Sequence, residues 1–420
     1  MPEAWAQAAW VVILMSEDQA SRAAMTRSAP SGATRGRLRR ARFAVWCYFM
    51  LPGVTLATWT ARIPAVKARL ALSDGALSLG LLAVGIGAVL SMQFVGRLVD
   101  RHGSSTVMLP SAVLLAIAMA GPGFAGNLQI LVVTLLAVGA CYGLLDVAMN
   151  AQAVEVERAY GRPIMASFHA GYSIGGLVGA VYGSLLARAG VGAGPTFLAI
   201  GLPMAAAVIL VSRWLLPPAS AVAPGQAGDL GRSQGGGRWP AHVLLLGVLG
   251  MFCFLDEGAA ADWSSVYLRD ALHASAGLAP LAYGMFSITM ALGRLIGDRL
   301  VARIGPVALV RCGAGLAALG LAVGLLVSTP VAGIAGFGAL GAGLSCIVPQ
   351  LFTAAGNWDP SRSGRSLAQV TMLSYLGLLA GPVAIGPVAG VTGLPTALSL
   401  PVILAVLVAL SAPAVRPRGL

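Results

Sequence analysis

Charged side chains are scarce in this chain of 420 residues, since only 10% are Asp, Glu, Lys or Arg, while 57% are hydrophobic. A soluble protein of this length would carry about 25% charged residues. The mean hydropathy of the chain is +0.83. The composition therefore excludes an ordinary soluble domain and predicts a protein that crosses a membrane several times.

Lysine is almost absent, because Lys67 is the only one in the chain. A phosphate-binding P-loop ends in Gly-Lys-Ser or Gly-Lys-Thr, and the sequence contains neither, so we expect no ATP-driven transport by this chain alone. The net charge of +12 could suggest a nucleic-acid partner. However, the basic residues form short clusters between apolar runs, as in cytoplasmic loops, and we expect no nucleic acid to bind.

The five cysteines include no CxxC pair, and each lies inside an apolar run. We interpret them as small buried hydrophobic residues rather than disulfide partners or metal ligands. The sequence also shows no nucleophile–base pair and no metal-ligand spacing, so we expect no enzymatic activity, no cofactor and no bound metal. The cysteines are Cys47, Cys141, Cys253, Cys312 and Cys346.

Twelve apolar runs, numbered here spans 1 to 12, have the length of about 20 residues that a hydrocarbon core requires. They predict an all-α membrane protein with six-helix bundles at 41–216 and 240–416, joined by a flexible cytoplasmic linker at 217–239. Residues 1–40 are predicted to be a disordered cytoplasmic leader, and 417–420 a cytoplasmic tail. The spans are 43–62, 76–97, 106–124, 128–150, 165–188, 195–215, 241–268, 279–300, 306–328, 331–353, 366–389 and 394–414.

The basic residues predict the orientation of the chain. With both termini in the cytoplasm, only five of the 27 Lys and Arg residues would be external. Cytoplasmic loops carry an excess of Lys and Arg, so this asymmetry indicates that orientation. We expect a multi-pass protein of the bacterial inner membrane. The five external residues are Arg62, Lys67, Arg69, Arg188 and Arg269.

The two halves of the sequence repeat one another. The segment GRLVDRHG, which begins at Gly96, recurs as GRLIGDRLVARIG from Gly293. Asn150 in span 4 likewise corresponds to Gln350 in span 10. Two related six-helix halves imply a pseudo-two-fold axis, with a binding site between the halves near the middle of the membrane.

The segment GRLVDRHG lies in the loop between spans 2 and 3. Gly96 lets the helix end pack closely, and Gly103 allows a turn. Asp100 can face a helix N-terminus or pair with Arg97 or Arg101, and so hold the halves together on the cytoplasmic side. The alternative is an ordinary solvated loop, which the recurrence of the pattern at a matching position disfavours.

This segment resembles the signature of the major facilitator superfamily, Gly-x-Leu-x-Asp-Arg-x-Gly, through Gly96, Leu98, Asp100, Arg101 and Gly103. The second copy has an extra residue before its aspartate. The resemblance implies the major facilitator fold, in which two bundles rock to give alternating access, with a gate on the cytoplasmic side. The expected gate residues are Gly96, Asp100, Arg101, Gly103, Arg294, Asp298 and Arg299.

Span 4 carries an acid and an amide inside its apolar run, Asp146 and Asn150. A charge near the bilayer centre costs about 2.5–3.5 kcal/mol on insertion scales, so it persists only where it faces protein or water. The two residues are four apart and share one helix face, with Tyr142 a turn earlier. We expect this face to line a cavity, and a purely structural role is the alternative.

The segment Gly143–Ala151, GLLDVAMNA, also resembles the Gly-x-x-Glu/Asp-x-x-x-Asn-Pro segment of fucose-permease-like sugar:proton symporters. Asp146 and Asn150 match its acid and amide, and Ala151 stands where that pattern has proline. In those permeases the acid couples transport to protons, so the resemblance implies this role for Asp146. A second acid, expected in the first helix, is missing from span 1.

Asp256 and Glu257 are adjacent near the middle of span 7. Neighbouring helix positions point about 100° apart, so we expect only one of them to face the cavity. Two close carboxylates in a low dielectric do not both ionise readily, which suits proton coupling. Hydrogen bonds between helices, made by protonated acids, are the alternative. Trp263 shares a face with Asp256 and is a predicted substrate contact.

Five further residues are predicted to contact substrate. His169 and Tyr172 lie in span 5, where the histidine could bind solute, relay protons or simply fill space. Gln350 follows a proline that predicts a helix break, and its amide can both donate and accept hydrogen bonds. Tyr48 in span 1 and Asn150 in span 4 complete the predicted substrate site.

These features favour a secondary transporter that takes up a small polar solute, with a sugar-like compound as one candidate, together with protons. Efflux by proton antiport is the alternative, but antiporters of this superfamily resemble one another in a Gly-Pro element in span 5 and an arginine in span 4, and both are absent here. A receptor or scaffold with a degenerate transporter fold is a third candidate, against which the repeated gate motif speaks. The expected partners are the solute, protons and lipid, and we expect a monomer.

Overall fold

The computed structural model of the chain describes residues 32–72, 74–217, 239–275, 278–279 and 281–417. Within these residues ten helices are long and apolar enough to cross a membrane, and a shorter apolar helix covers Leu394–Leu410. One of the ten, Leu281–Val327, is two spans joined at a break at Gly305. The twelve predicted spans are therefore all present among the described residues, and the all-α fold class is confirmed.

The first half consists of the helices Gly32–Arg69 (span 1), Asp74–His102 (span 2), Ser104–Ala118 with Ala120–Phe124 (span 3), Leu128–Tyr160 (span 4), Met165–Arg188 (span 5) and Ala193–Ser212 (span 6). The second half consists of Ala241–Val266 with the π-helical turn Tyr267–Ala271 (span 7), Leu281–Val327 (spans 8 and 9), Pro330–Leu344 with Ile347–Trp358 (span 10), Ser363–Thr392 (span 11) and Leu394–Ala397 with Ser399–Leu410 (span 12).

The first helix begins earlier than the sequence predicted. It starts at Gly32, so residues 32–40 are helical where a disordered leader was expected. Their run of arginine, alanine and leucine consists mostly of strong helix formers, and it continues into the apolar span without a break. Residues 1–31 and 218–238 lie outside the described residues, so the rest of the leader and the linker stay predictions.

The same boundary residues recur in both halves. Gly103, before span 3, has φ 84° and ψ 149°, and Gly305, before span 9, has φ 78° and ψ 162°. This backbone region is open essentially only to glycine. Asn127 and Thr329 begin spans 4 and 10, and each side chain accepts a hydrogen bond from the backbone N–H three residues later. The predicted repeat of the two halves is therefore visible in how their helices begin and end.

Small residues bring the helices of the bundle into close contact. A Cβ added at Gly175 or Gly179 on span 5 would collide with the backbone oxygens of Met50 and Val54 on span 1. Glycines at such positions let two helix backbones approach closely, which is how membrane helices associate. Within the unit Ala41–Leu420, the two halves meet along spans 2 and 11 and along spans 5 and 8.

The cysteines differ from the expectation at one position. Cys253 and Cys346 are buried, and Cys47 and Cys141 are half-buried, whereas Cys312 is exposed on span 9. Cysteine behaves as a small apolar side chain, and a membrane helix can turn such a side chain to lipid as well as to the protein interior. The expectation of burial was therefore wrong for Cys312.

Candidate functional site

A cavity of about 390 Å³ lies between the two halves. Its wall takes residues from spans 1, 2, 4 and 5 of the first half and from spans 7, 8, 10 and 11 of the second. Most of the wall is apolar or aromatic, with a few convergent polar groups, as is usual for small-molecule sites. The polar groups are Tyr142, Asp146, His169, Tyr172, Glu257, Tyr283, Arg294 and Tyr375.

Asp146 lies on this wall, held from behind by Asn150. Its Oδ1 accepts a hydrogen bond of 3.1 Å from Asn150 Nδ2, which also donates to the Asp146 backbone oxygen at 2.8 Å. Asn150 is fully buried and is not part of the wall. On the other side, the hydroxyl of Tyr375 on span 11 interacts with the Asp146 carboxyl. The carboxyl of span 4 therefore takes part in a contact between the two halves.

Glu257 and Arg294 form an ion pair on the opposite part of the wall. Arg294 Nη2 lies 3.5 Å from Glu257 Oε1, and Nη1 donates to the Oγ of Ser173 on span 5 at 3.0 Å. The guanidinium therefore joins span 5 of the first half to span 7 of the second. An ionised side chain inside a membrane span is costly unless it is paired or in contact with water, and this pairing meets that requirement.

A break in span 10 supplies a further partner for Arg294. Pro349 has no backbone N–H, so the carbonyl four residues earlier, at Ser345, lacks its helical partner. The two helices of span 10 separate at this point, and Arg294 Nε donates to the Ser345 oxygen at 3.4 Å. The proline that predicted a helix break therefore positions the cation of the cavity.

Asp256, the neighbour of Glu257, points away from the cavity. Its side chain is fully buried, and neither carboxyl oxygen has a hydrogen-bond partner among the described residues. Adjacent helix positions point about 100° apart, which explains why only one of the two acids can lie on the wall. Of the two acids predicted in span 7, Glu257 is the one that the structure places at the cavity.

His169 and Tyr172, on span 5, both line the cavity. The imidazole lies between two phenyl rings, with centroids 5.2 Å from that of Phe49 and 5.8 Å from that of Phe352. Its Nε2 is buried and has no partner in the part of the chain that the structure describes. The Tyr172 hydroxyl interacts with that of Tyr142 on span 4. The cavity therefore has polar atoms set among aromatic rings.

Besides Asn150, three more of the predicted substrate contacts are not on the wall. The ring of Tyr48 is fully buried, and its hydroxyl donates to a backbone oxygen of span 6 at 3.2 Å. Trp263 packs into an apolar cluster formed with spans 11 and 12. Gln350 is buried and lies two residues from Phe352, which does line the cavity. Positions two apart on a helix point about 200° apart, so Gln350 faces away from the cavity.

Beyond the cavity, Asp100 of the first gate motif contacts the start of span 11 in the other half. Its Oδ1 accepts a hydrogen bond of 2.8 Å from the backbone N–H of Gly364, and its Oδ2 lies 3.4 Å from Arg365 Nε. A carboxylate is favoured at a helix N-terminus, where backbone N–H groups lack partners and the helix dipole is positive. The ion-pair partner is thus Arg365, across the two halves, rather than Arg97 or Arg101.

Asp298 of the second motif makes the equivalent contact with the start of span 5. Its Oδ1 accepts a hydrogen bond of 3.1 Å from the backbone N–H of Ser167, and its Oδ2 lies 3.4 Å from Arg42 Nη2. Gly297 permits the approach, since an added Cβ there would lie 2.7 Å from the Cβ of Ala166. The extra residue in the second motif therefore leaves the contact intact.

The remaining predicted gate residues have different places. Gly96 packs against the start of span 11, where an added Cβ would lie 2.9 Å from the Cβ of Ala368. Arg101 and Arg299 are exposed. Arg294 was expected in the gate, but it lies one helical turn before the second aspartate and is on the cavity wall. One turn moves a side chain by about 5.4 Å along the helix axis, which separates the two locations.

A third contact joins the halves at the ends of spans 4 and 10. The Oε2 of Glu157 accepts hydrogen bonds of 2.8 Å from two backbone N–H groups at the start of span 5, and its Oε1 accepts one of 2.9 Å from Thr353. Arg158 donates to the backbone oxygen of Gly356, near the C-terminal end of span 10, where a cation is favoured. This end of the protein is therefore closed by several polar contacts between the halves.

Comparison with known proteins places the chain in a family. The model of the Major Facilitator Superfamily matches residues 43–255. An uncharacterized MFS-type transporter of Yersinia pestis is 35% identical over 367 residues, which cover 87% of this chain and 94% of the relative. The chain belongs to the Major Facilitator Superfamily. Membrane protein MosC of Rhizobium meliloti is also similar, with 30% identity over 366 residues, covering 87% of this chain and 88% of the relative.

Solved structures of the superfamily share the fold of this transporter. FucP in the outward conformation gives a TM-score of 0.72 at 17% identity, covering 89% of this chain and 98% of FucP. The human organic anion transporter MFSD10 gives a TM-score of 0.70 at 16% identity, covering 89% of this chain and 99% of that protein. At such identities the likeness concerns the fold, so the chemistry of the site has to be argued from its own residues.

Several cavity residues of this superfamily member escape prediction from the sequence. Arg294 is a lone cation inside an apolar run, and the cost of such a charge could have pointed to the cavity. Tyr283, Tyr375 and Phe254 carry no such signal, because aromatic residues are also common in helix packing and at membrane interfaces. The structure is needed to show that they line the same cavity as Asp146 and Glu257.

Proposed function

We propose that this transporter moves a small polar solute together with protons, by exposing the cavity alternately to the two sides of the membrane. The observation that carries the proposal is that Asp146, from the first half, and Glu257, from the second, lie on the wall of one cavity. Ionisable groups inside membrane spans mark ion and proton pathways by default. FucP and XylE, which share the fold, are named as a fucose:proton and a proton:xylose symporter.

Asp146 supplies the coupling step. An ionised carboxylate only accepts hydrogen bonds, whereas a protonated one also donates. Because the Asp146 carboxyl interacts with Tyr375 across the halves, the gain or loss of a proton changes a contact between the two bundles. Protonation of Asp146 removes its negative charge. A cavity that holds solute and a protonated Asp146 therefore costs less to close off from water than an empty cavity with an ionised Asp146. Solute and proton therefore favour the same transition.

The gate contacts determine the side to which the cavity opens. Asp100 and Asp298 hold the starts of spans 11 and 5, and both contacts must break for the cavity to open at that end. The excess of basic residues in the loops at this end assigns it to the cytoplasm, with both termini on the same side. The membrane is then the inner membrane of a bacterium.

Proton movement in reconstituted vesicles tests the proposal and its main alternative. The full chain is placed in vesicles that contain a pH-sensitive dye, and sugars, polyols and sugar acids are added outside one at a time. Symport predicts that the lumen becomes more acidic as a transported solute enters, because protons accompany it. Antiport predicts that the lumen becomes more alkaline. Vesicles without protein report the passive entry of weak acids.

An uncoupled carrier would give a third result in the same vesicles. A radiolabelled solute would then enter until it equilibrates, and the dye signal would match that of empty vesicles. That outcome would remove the proton-coupled mechanism while leaving a transport function in place.

A further inference from the structure

Arg294 gives the cavity a charge that the transport of a neutral solute does not require. Among the described residues that line the cavity, it is the one with a permanent positive charge. Burying a guanidinium in a membrane span is costly, and the structure gives it partners from three elements, Glu257, Ser173 and Ser345. A cation kept at this cost, on the wall of a solute cavity, points to a ligand that needs it.

The contact between Arg294 and Glu257 is weak enough for an incoming anion to displace Glu257. A guanidinium has five N–H donors and binds a carboxylate best through two parallel hydrogen bonds of about 2.7–2.9 Å. Here a single contact of 3.5 Å joins Nη2 to Glu257 Oε1, and the side chain of Glu257 is 27% exposed. The pair is therefore neither bidentate nor sealed from the cavity, and a better acceptor that enters the cavity can replace Glu257.

We infer that the transported solute carries a carboxylate or a comparable anionic group, and that Arg294 binds this group in place of Glu257. The inference rests on the proposed function, since it names the solute class for the same cavity. The tyrosines Tyr142, Tyr172 and Tyr375 offer hydroxyl groups and ring faces to the remainder of the solute. With about 390 Å³ of space, the cavity is at the small end of ligand pockets, so a small hydroxylated organic acid fits it.

Charge balance links this binding step to a proton. The inferred cycle starts from an empty cavity in which an ionised Glu257, 3.5 Å from Arg294, compensates the positive charge of the arginine. When a proton binds to the Glu257 carboxyl and an anion binds to Arg294, the total charge of the cavity is unchanged. One proton and one negative charge therefore enter together, with no bond broken other than the ion pair. The groups that interact electrostatically with Glu257 are Asp256 and Cys253 on its own helix, Arg294 and Tyr283 on span 8, and Tyr172 on span 5.

Matched pairs of acids and alcohols test the inference on the purified full chain. The probes are gluconate against sorbitol, galactonate against galactitol, glycerate against glycerol, and lactate against 1,2-propanediol, and the readout is the shift in Tm at saturating probe. We expect at least one acid to raise Tm while its alcohol does not. The increase should disappear in Arg294→Gln and persist in Arg303→Gln, whose arginine is exposed on the same helix.

A second variant keeps the test decisive if Arg294→Gln does not fold. Glu257→Gln has the same shape but no charge to compete for Arg294, so the stabilising acid should bind about fivefold more tightly than to the wild type. The inference is overturned if an alcohol stabilises as well as its acid, if no acid stabilises, if the effect survives Arg294→Gln, or if Glu257→Gln binds the acid more weakly.

The failure of this inference can be told apart from the failure of the proposed function. If an alcohol acidifies the lumen of the dye-loaded vesicles and no acid does, proton symport stands and the anionic solute is wrong. If an acid binds through Arg294 but never moves protons, the solute class stands and the coupling is wrong.

Discussion

The two copies of the gate motif reach the opposite half with different arrangements of side chains. In the first copy, Gly96 makes the close approach to span 11 and Asp100, four residues later, accepts hydrogen bonds from its start. In the second copy, Gly297 makes the close approach to span 5, directly before Asp298. The position four residues before the second aspartate does not have to be small, and it is occupied by Arg294.

This difference shows how a repeated fold can acquire an asymmetric site. Both halves keep a carboxylate at a helix N-terminus of the other half, which stabilises the closed arrangement. Among the described residues that line the cavity, the second half alone also sends a cation from the same helix, and this cation pairs with Glu257. The first half contributes Asp146, whose partners Asn150 and Tyr375 are uncharged. The aspartate contacts between the halves are thus nearly symmetric, and the cavity is not.

The largest effect should come from placing a large side chain at each of the two glycines where the halves approach closely, Gly96 and Gly297. Gly96→Leu and Gly297→Leu would each force a side chain into a neighbouring helix, at a cost of about 1–3 kcal/mol or more, and hold the gate open. The measurement is thiol labelling, from the cytoplasmic side, of Met149→Cys on the cavity wall, in a chain whose native cysteines have been replaced. We expect the rate of labelling to rise about tenfold or more.

Gly315→Leu is the control for these substitutions, because a Cβ at that position on span 9 meets nothing within 4 Å. If the control raises labelling as much as the two gate variants, the effect comes from leucine itself and not from the close approach.

An intermediate effect is expected from removing the two gate charges. Asp100→Asn and Asp298→Asn keep the shape of the side chain but lose the attraction to the helix N-terminus and to the facing arginine. A loss of about 1 kcal/mol each would increase the same labelling about fivefold. The comparison predicts similar values for the two variants, so a large effect at Asp100 and none at Asp298 would show that the second motif is not a gate.

The smallest effects should come from the exposed arginines of the two motifs. Arg101→Gln and Arg299→Gln remove charges that point away from the contacts between the halves, so their effects should stay within about 0.5 kcal/mol. Labelling should change by less than about twofold. A change as large as that of the aspartate variants would instead place these arginines in the gate, as the family signature implied.

Much of the architecture can be predicted from the sequence, because hydrophobic length and repeated motifs are local signals. The twelve spans, the turn glycines Gly103 and Gly305, and the approximate position of the break in span 10 all have such signals. Asp146 is also predictable, because a charge inside an apolar run is rare and costly.

The side on which a residue lies within a bundle is less predictable. Tyr48, Trp263 and Gln350 are polar or aromatic residues in the right spans, but each packs against another helix instead of facing the cavity. A helix in a bundle has several buried faces, and the sequence alone does not say which one borders the cavity. The partner of Asp100 was out of reach for a similar reason, because Arg365 is distant in the sequence.

The proposed function depends above all on the Asp146 carboxyl, which is proposed to couple solute movement to protons. Its most direct test is solute-driven acidification of dye-loaded vesicles that contain Asp146→Asn, beside the exposed Asp270→Asn as a matched control. We expect Asp146→Asn to fold and to bind solute, but to lose the protonation-dependent contact with Tyr375 that drives the transition between states. Turnover, and with it proton movement, should then fall at least about tenfold, while Asp270→Asn retains both. Proton movement at the wild-type rate in Asp146→Asn, between pH 6 and pH 8, would show that Asp146 does not couple solute to protons.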